Sequence, residues 1–345
     1  MSDSRQEMFE KWLRSQSNYS FDLHNVRAAS SDASFRRYYR LTDTRTGRDF
    51  IVMDAPPDKE DVRPFVAVAH LLEQAEVRVP HVLVKNETDG FLLLDDFGRT
   101  TMLAALCRQE KPCSADAMYR QAMTDLLHMQ VHTPTDGLPA YSEQKLREEM
   151  DLFETWYVGK HCSTVLTEKE QNWLNTIKTT LVQSACAQAQ VFVHRDYHSR
   201  NLMLIQCEQE QPTLGILDFQ DAVKGPLSYD LVSVLRDAYI EWPEDQTVDW
   251  AIRYWEQARQ AGLGVPADPS DFYRQFDYMG LQRHLKILGI FARLFHRDGK
   301  RDYVNSVPLV LAYVRSVATR YIAFKPLLLI LDRLEGKAAD VTYSF

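Results

Sequence analysis

Short runs of β-branched and aromatic residues, broken by polar turn segments, occupy the first hundred positions, and helix-spaced apolar residues dominate most of the remaining chain. Around the polar stretches "SSDAS" and "TDTRTG" the pattern predicts three antiparallel strands, near 24–29, 35–42 and 48–54. "DVRPFVAVAHLLEQAE" then carries Phe65, Val68, Leu71 and Leu72 at helical spacing, followed by two more short strands in "HVLVKN" and "GFLLLDD". Past a hinge near Leu94 to Gly98 the spacing turns helical, in "ADAMYRQAMTDLLHMQVH", "SEQKLREEMDLFETWYV" and "KEQNWLNTIKTTLVQS". A strand-rich interruption at 191–218 breaks the helices, which resume from "PLSYDLVSVLRDAY". The expected fold class is α+β and bilobal. A small five-stranded antiparallel N-lobe with one main helix spans 1–97, and a large, mostly helical C-lobe with an embedded hairpin spans 98–345.

At 345 residues and 45% hydrophobic, the chain can bury a sizeable core. A formal net charge of -8 leaves no global basic field for nucleic acid or an anionic membrane. No apolar run approaches the roughly 18 residues of a membrane helix. The amphipathic start "MSDSRQEMFEKWLRSQ" lacks the apolar stretch of a signal peptide. The expectation is a cytoplasmic protein acting on small molecules, with no nucleic acid, membrane or protein partner implied. Cys107, Cys113, Cys162, Cys186 and Cys207 are scattered and form no CxxC pair, so they predict reduced thiols rather than a disulfide framework or a zinc site.

The stretch "VHRDYHSRNLML" at 193–204 changes the picture. Phosphoryl transfer needs a carboxylate to orient and accept the proton of the attacking hydroxyl, and oxygen ligands to hold a metal on the phosphates. Asp196 can be the first. Asn201, opening the next strand, can be one of the second, and the strands "NLMLI" and "TLGIL" should bring Asp218 back beside it. Each motif is weak alone; their order and the hairpin between them carry the reading.

"HRDYHSRN", "LDFQDA" and "GPLSYDL" resemble the aminoglycoside/choline phosphotransferase family, a small-molecule branch of the protein-kinase-like fold. His194, Asp196, His198 and Asn201 match its H-x-D-x-H-x-x-N loop, and Leu217, Asp218 and Phe219 match its second motif. The resemblance implies Asp196 as catalytic base, Asn201 and Asp218 as ligands of Mg2+, and ATP as co-substrate. It implies structural parts for His194 and for Asp230, the latter a buried anchor accepting backbone hydrogen bonds from the catalytic loop. No A-P-E motif follows Asp218, so protein substrates are not expected. "SSDASFRRYYRL", "VMDAPP", "LLLDDFG", "VFVHRDYHSRNLM" and "MGLQRHLKILGIFARL" are similar to the branch that phosphorylates amino sugars at the anomeric hydroxyl during bacterial cell-wall recycling. That similarity implies N-acetylmuramate or N-acetylglucosamine as the acceptor.

Two departures stand out. Met53 and Asp54 occupy the third strand where a phosphate-binding lysine is expected, leaving the helix residue Glu73 without its usual partner. The phosphate loop has serines and arginines in place of glycines, so Ser31, Ser34, Phe35 and Arg36 are candidates for the nucleotide, with Met53, Leu94 and Asp95. Strand alternation lets only one of Arg36 and Arg37 face the nucleotide, and Arg36 is preferred. For the acceptor the candidates are His198, Arg200, Arg283, His284, Lys286, Arg293 and Trp156; one of the cations could hold the lactyl carboxylate of N-acetylmuramate. The alternatives are an aminoglycoside or amino-alcohol kinase, whose pocket should be rich in carboxylates, and a nucleotide-binding pseudokinase, which the absent lysine favours.

Overall fold

Phe50 and Val52, two residues apart on one strand, share a sheet face and pack with Phe9, Trp12 and Leu13 from the start of the chain. The computed structural model describes residues 3–31, 35–108 and 112–336. Helix α1 (Asp3–Arg14) covers a sheet of β1 (Arg27–Ser31), β2 (Arg37–Thr42), β3 (Asp49–Asp54), β4 (Val82–Asn86) and β5 (Phe91–Asp95), with α2 (Arg63–Gln74) between β3 and β4. The order is β1-β2-β3-β5-β4, every neighbour antiparallel. Asp54 is fully buried, and its Oδ1 accepts hydrogen bonds from Arg5 Nε (3.0 Å) and Nη2 (2.7 Å). Met53, next to it, is buried as well and offers no cation to a phosphate.

The chain divides into two compact units, 1–121 with 200–221 and 122–199 with 222–345. In the first, after the short helix α3 (Met102–Leu106), strands β7 (Leu202–Glu208) and β8 (Gln211–Ile216) form the expected hairpin. Its two-residue turn has positive φ at Gln209 (50°) and Glu210 (61°), the mirror-image turn that suits the twist of a hairpin. The hairpin is tied down by Leu204 N donating to Thr100 O and Ile216 N donating to Arg78 O, both at 2.9 Å. It also carries a correction: Cys113 and Cys207 form a disulfide, their Cα atoms 6.1 Å apart, where five free thiols were expected. The partners are 94 residues apart, a separation that cysteine spacing cannot connect; the hairpin brings them together, its Glu210 also accepting the Ser114 N–H at 2.7 Å.

Helix α4 (Ala115–His132) leads into the second unit, which holds α5 (Glu143–Leu152), α6 (Glu168–Cys186), α7 (Ser228–Leu235), α8 (Glu244–Gln260), α9 (Pro269–His296), α10 (Val307–Arg320) and α11 (Lys325–Leu334). A Thr167–Glu170 capping box starts α6, and Asp268 caps α9 just before Pro269. Strand β6 (Gln190–Val193) pairs with β9 (Val223–Pro226), a strand the sequence pattern does not announce because Gly225 and Pro226 look like turn residues.

The helix expected through "DLFETWYV" does not stay α-helical: Phe153–His161 is a π-helix packed on α9. Gly289 permits that packing, since a Cβ there would lie 2.3 Å from the carbonyl carbon of Leu152. Gly289→Ala should therefore lower stability by about 1–3 kcal/mol in urea unfolding, the cost of overpacking. Gly264→Ala is the control, because its Cβ would meet Ala189 at an ordinary 3.6 Å. Equal midpoints for the two variants would refute this account of the packing.

Candidate active site

In the second unit, one helix holds the loop around Asp196 from both ends. Asp230, in the first turn of α7, accepts from His194 N (2.6 Å) and Arg195 N (3.0 Å), one bond to each carboxylate oxygen. Asp237, just past the helix, accepts from Ser199 N at 2.9 Å and from the Ser199 hydroxyl, while its other oxygen takes the Tyr239 N–H at 3.0 Å. Between these anchors, Asp196 N donates to His194 Nδ1 at 3.2 Å and His198 N donates to Asp196 O at 3.0 Å. Arg195 sits at φ 78°, a conformation that costs a non-glycine residue about 1–3 kcal/mol and persists because the anchors over-determine it.

A buried cluster backs this loop. Arg283 Nη1 donates to Arg195 O (3.0 Å) and to the Tyr229 hydroxyl (3.2 Å). Lys286 Nζ donates to the same hydroxyl at 3.0 Å and pairs with Glu149 at 3.2 Å. Glu149 also accepts from Arg195 Nη2 at 2.5 Å and from the Tyr141 hydroxyl. Burial works to raise the Glu149 carboxyl, but Lys286 and Arg195 hold it below the usual carboxylate range. Burial likewise pushes the Asp230 carboxyl up to about 7, against the lowering effect of its two N–H donors.

The same balance decides Asp196. Burial works to raise its carboxyl; Lys286 and Arg283, then His198 and His194, outweigh it and hold the group ionised below the ordinary carboxylate range. Lys286→Met should shift the acid limb of the kcat/KM profile upward in pH, since one of the cations favouring the charged form is gone. An acid limb that stays where it was would show that Lys286 does not tune Asp196.

The first unit carries the other expected residues. The hairpin register pairs Leu202 with Ile216, and Leu217 N donates to Asn201 O at 2.9 Å, so Asp218 comes next to Asn201. Asn201 Nδ2 lies 3.4 Å from Asp218 Oδ2. Asp218, at φ 67°, also accepts from Gln220 Nε2 at 2.9 Å, and Arg36 Nη2 approaches it to 3.5 Å. Arg37 lies by Asp54 instead, its Nε 4.0 Å from Oδ2. A carboxylate and a carboxamide form a hard oxygen donor set that fits a divalent cation completing its shell with phosphate and water. Among the described residues there is no group of three or more His, Cys, Asp or Glu that could hold a metal.

The remaining candidates scatter. Phe35 is exposed beside Lys59, and its N–H donates to Glu60 at 3.1 Å. Leu94 is buried and Asp95 pairs with Arg48 at 2.7 Å. Ser31 ends β1, and Ser34 lies outside the described residues. Arg200 is exposed, and Trp156 is half-buried on the π-helix. Arg283, His284 and Lys286, read from the sequence as acceptor residues, are buried and engaged with protein groups: His284 bonds Arg236 O through Nε2 at 3.1 Å and stacks on Tyr313. Glu73 pairs with His81 at 2.9 Å rather than with a lysine of the sheet. Sequence reasoning missed Glu149 and Asp237. Asp237 left one trace, a second aspartate seven residues after Asp230.

A model of the phosphotransferase enzyme family matches residues 25–267. The chain is 43% identical to the N-acetylmuramate/N-acetylglucosamine kinase of Neisseria meningitidis serogroup B over 333 residues, 96% of each chain. It is 45% identical to the protein of the same name from Pseudomonas aeruginosa, over 85% of this chain and 83% of the relative. Aminoglycoside 2'-phosphotransferase-IIIa in its GDP complex shares the fold with a TM-score of 0.62 at 15% identity, covering 92% of this chain and 99% of that one. By this match over most of its length, with the kinase-like fold that goes with it, the chain belongs to the phosphotransferase enzyme family.

Proposed function

We propose that the chain transfers the γ-phosphoryl group of ATP to the anomeric hydroxyl of N-acetylmuramate and N-acetylglucosamine, giving the sugar 1-phosphates that feed nucleotide-sugar synthesis in peptidoglycan recycling. The observation that carries this reading is the similarity, at 43% and 45% identity over most of the chain, to two kinases named for these sugars.

In this reading Asp196 orients the anomeric hydroxyl and takes its proton, and the hydroxyl oxygen displaces the γ-phosphoryl group in line. Asn201 and Asp218 would hold the divalent metal, which we take to be Mg2+ and which, when bound, neutralises charge on the phosphates. Arg36, already beside Asp218, stands in for the absent lysine of the third strand. Ser31 and Phe35 would line the phosphates, and Met53, Leu94 and Asp95 the base. A nucleotide-binding lobe over 1–97 and an acceptor lobe over 98–345 remain the functional division we favour, and a reaction that consumes ATP belongs in the cytoplasm.

The test is phosphorus NMR of product formed from ATP and Mg2+ with N-acetylmuramate, N-acetylglucosamine, kanamycin or choline. A phosphorus coupled to the anomeric proton supports the proposal. Phosphorylation of kanamycin or choline alone would overturn it in favour of the other acceptor class, and binding of ATP without any product would favour the pseudokinase.

A further inference from the structure

The two proposed acceptors differ by one lactyl ether bearing a carboxylate, so a chain that takes both has to accommodate that charge at one edge of the sugar. This question rests on the acceptor reading above. The cations nearest Asp196 are already committed: Arg283 to Arg195 O and the Tyr229 hydroxyl, Lys286 to Glu149 and the same hydroxyl. Arg297, at the end of α9, is exposed and held in a two-bond pair with Asp298, at 2.8 and 3.0 Å.

Arg293 is different. It is half-buried, its Nε is shielded from solvent without a hydrogen-bond acceptor, and among the described residues its guanidinium has neither a hydrogen bond nor an ion pair. A shielded Nε has given up water without gaining an acceptor, a cost that a bound carboxylate would offset with two parallel bonds to the fork. Burial and then the neighbouring Arg297 act to lower its pKa, with the nearby Asp298 acting against them.

Its place along the helix suits the sugar. Arg293 follows Lys286 by seven residues, two turns on the same face and about 10 Å along the axis. Lys286 acts electrostatically on Asp196, so the stripe runs from the base toward Arg293. A second line of contacts ties the same level of α9 to the loop from another face of the helix: His198 packs against Tyr239 at 5.5 Å between ring centroids, and Tyr239 against Phe291 at 6.2 Å.

We infer that Arg293 is the specificity residue for an anionic acceptor, binding the carboxylate of N-acetylmuramate two helical turns along α9 from Lys286, the cation that acts on the catalytic base. The experiment is kcat/KM for both sugars in the wild type, Arg293→Gln, Arg293→Lys and Arg297→Gln. The ratio of N-acetylmuramate to N-acetylglucosamine should fall at least about tenfold in Arg293→Gln, mainly through KM. It should recover in part in Arg293→Lys, which keeps the charge and loses the fork, and stay at the wild-type value in Arg297→Gln. Arg293→Gln should change Tm little, because among the described residues the guanidinium makes no hydrogen bond or close ion pair that the variant would break. An unchanged ratio in Arg293→Gln, or an equal fall in Arg297→Gln, would overturn the inference while leaving the sugar-kinase reading standing. A wild-type chain that phosphorylates neither sugar would overturn both.

Discussion

Asp196→Asn should reduce kcat by about 10²–10⁴-fold while leaving the protein folded, the range expected when a positioned general base is lost. Asparagine matches aspartate in shape and keeps the loop's backbone bonds, which are made by main-chain atoms and by Asp230 and Asp237. What it loses is the charge that Lys286, Arg283, His198 and His194 favour. The KM for ATP should change little, since the residues assigned to the nucleotide are elsewhere in the chain. Initial rates by coupled assay, with circular dichroism to check the fold, make the comparison, and a folded variant retaining a tenth of the wild-type kcat would rule Asp196 out as the base.

Glu149→Ala should be the most damaging single change to stability, at about 3–5 kcal/mol, because it leaves Arg195 and Lys286 buried without their counter-charge. The Glu149 carboxyl is held below its unfolded value, so its contribution is present at neutral pH and is lost as pH falls through the folded value. The variant should therefore differ most from wild type near neutrality and least in acid. Adding Lys286→Met removes one of the stranded cations and should recover part of the loss, a coupling that a double-mutant cycle reads directly. Urea unfolding at two pH values is sufficient, and a variant that unfolds at the wild-type midpoint at pH 7 would show that the cluster does not support the loop.

How far the chain could be read from its letters depends on the range of the interactions concerned. Strands β2 to β5 and helix α2 follow from local period and turn chemistry, and "ADAMYRQAMTDLLHMQVH" coincides with α4, Ala115–His132. Asn201 and Asp218 could be brought together on paper because a hairpin is a local object with a countable register. Glu149 could not, since in "LREEMDLFE" it is one of four carboxylates at helical spacing and only the packing against α9 says which is buried. The Cys113–Cys207 bond and the β6–β9 pairing were hidden for the same reason, being set by the path of the chain. The π-helix is subtler: "FETWYVG" carries an ordinary helical pattern, and the change of pitch accompanies contact with Gly289 at a distance no local period records.

The two carboxylates at either end of α7 have a consequence for the way specificity can be altered. Asp230 and Asp237 set the shape of the Asp196 loop through backbone atoms and one serine hydroxyl, none of which identifies a substrate. The hydrogen bonds that shape the loop are thus made without the last turns of α9, which reach it through the ring contacts of Phe291 with Tyr239 and of Tyr239 with His198. For protein engineering this makes the chain a chassis: Arg293 and the exposed positions near the end of α9 can be varied to seek new sugars while the buried Phe291, Ala292 and Leu294 keep the helix packed and the base mounted where it is.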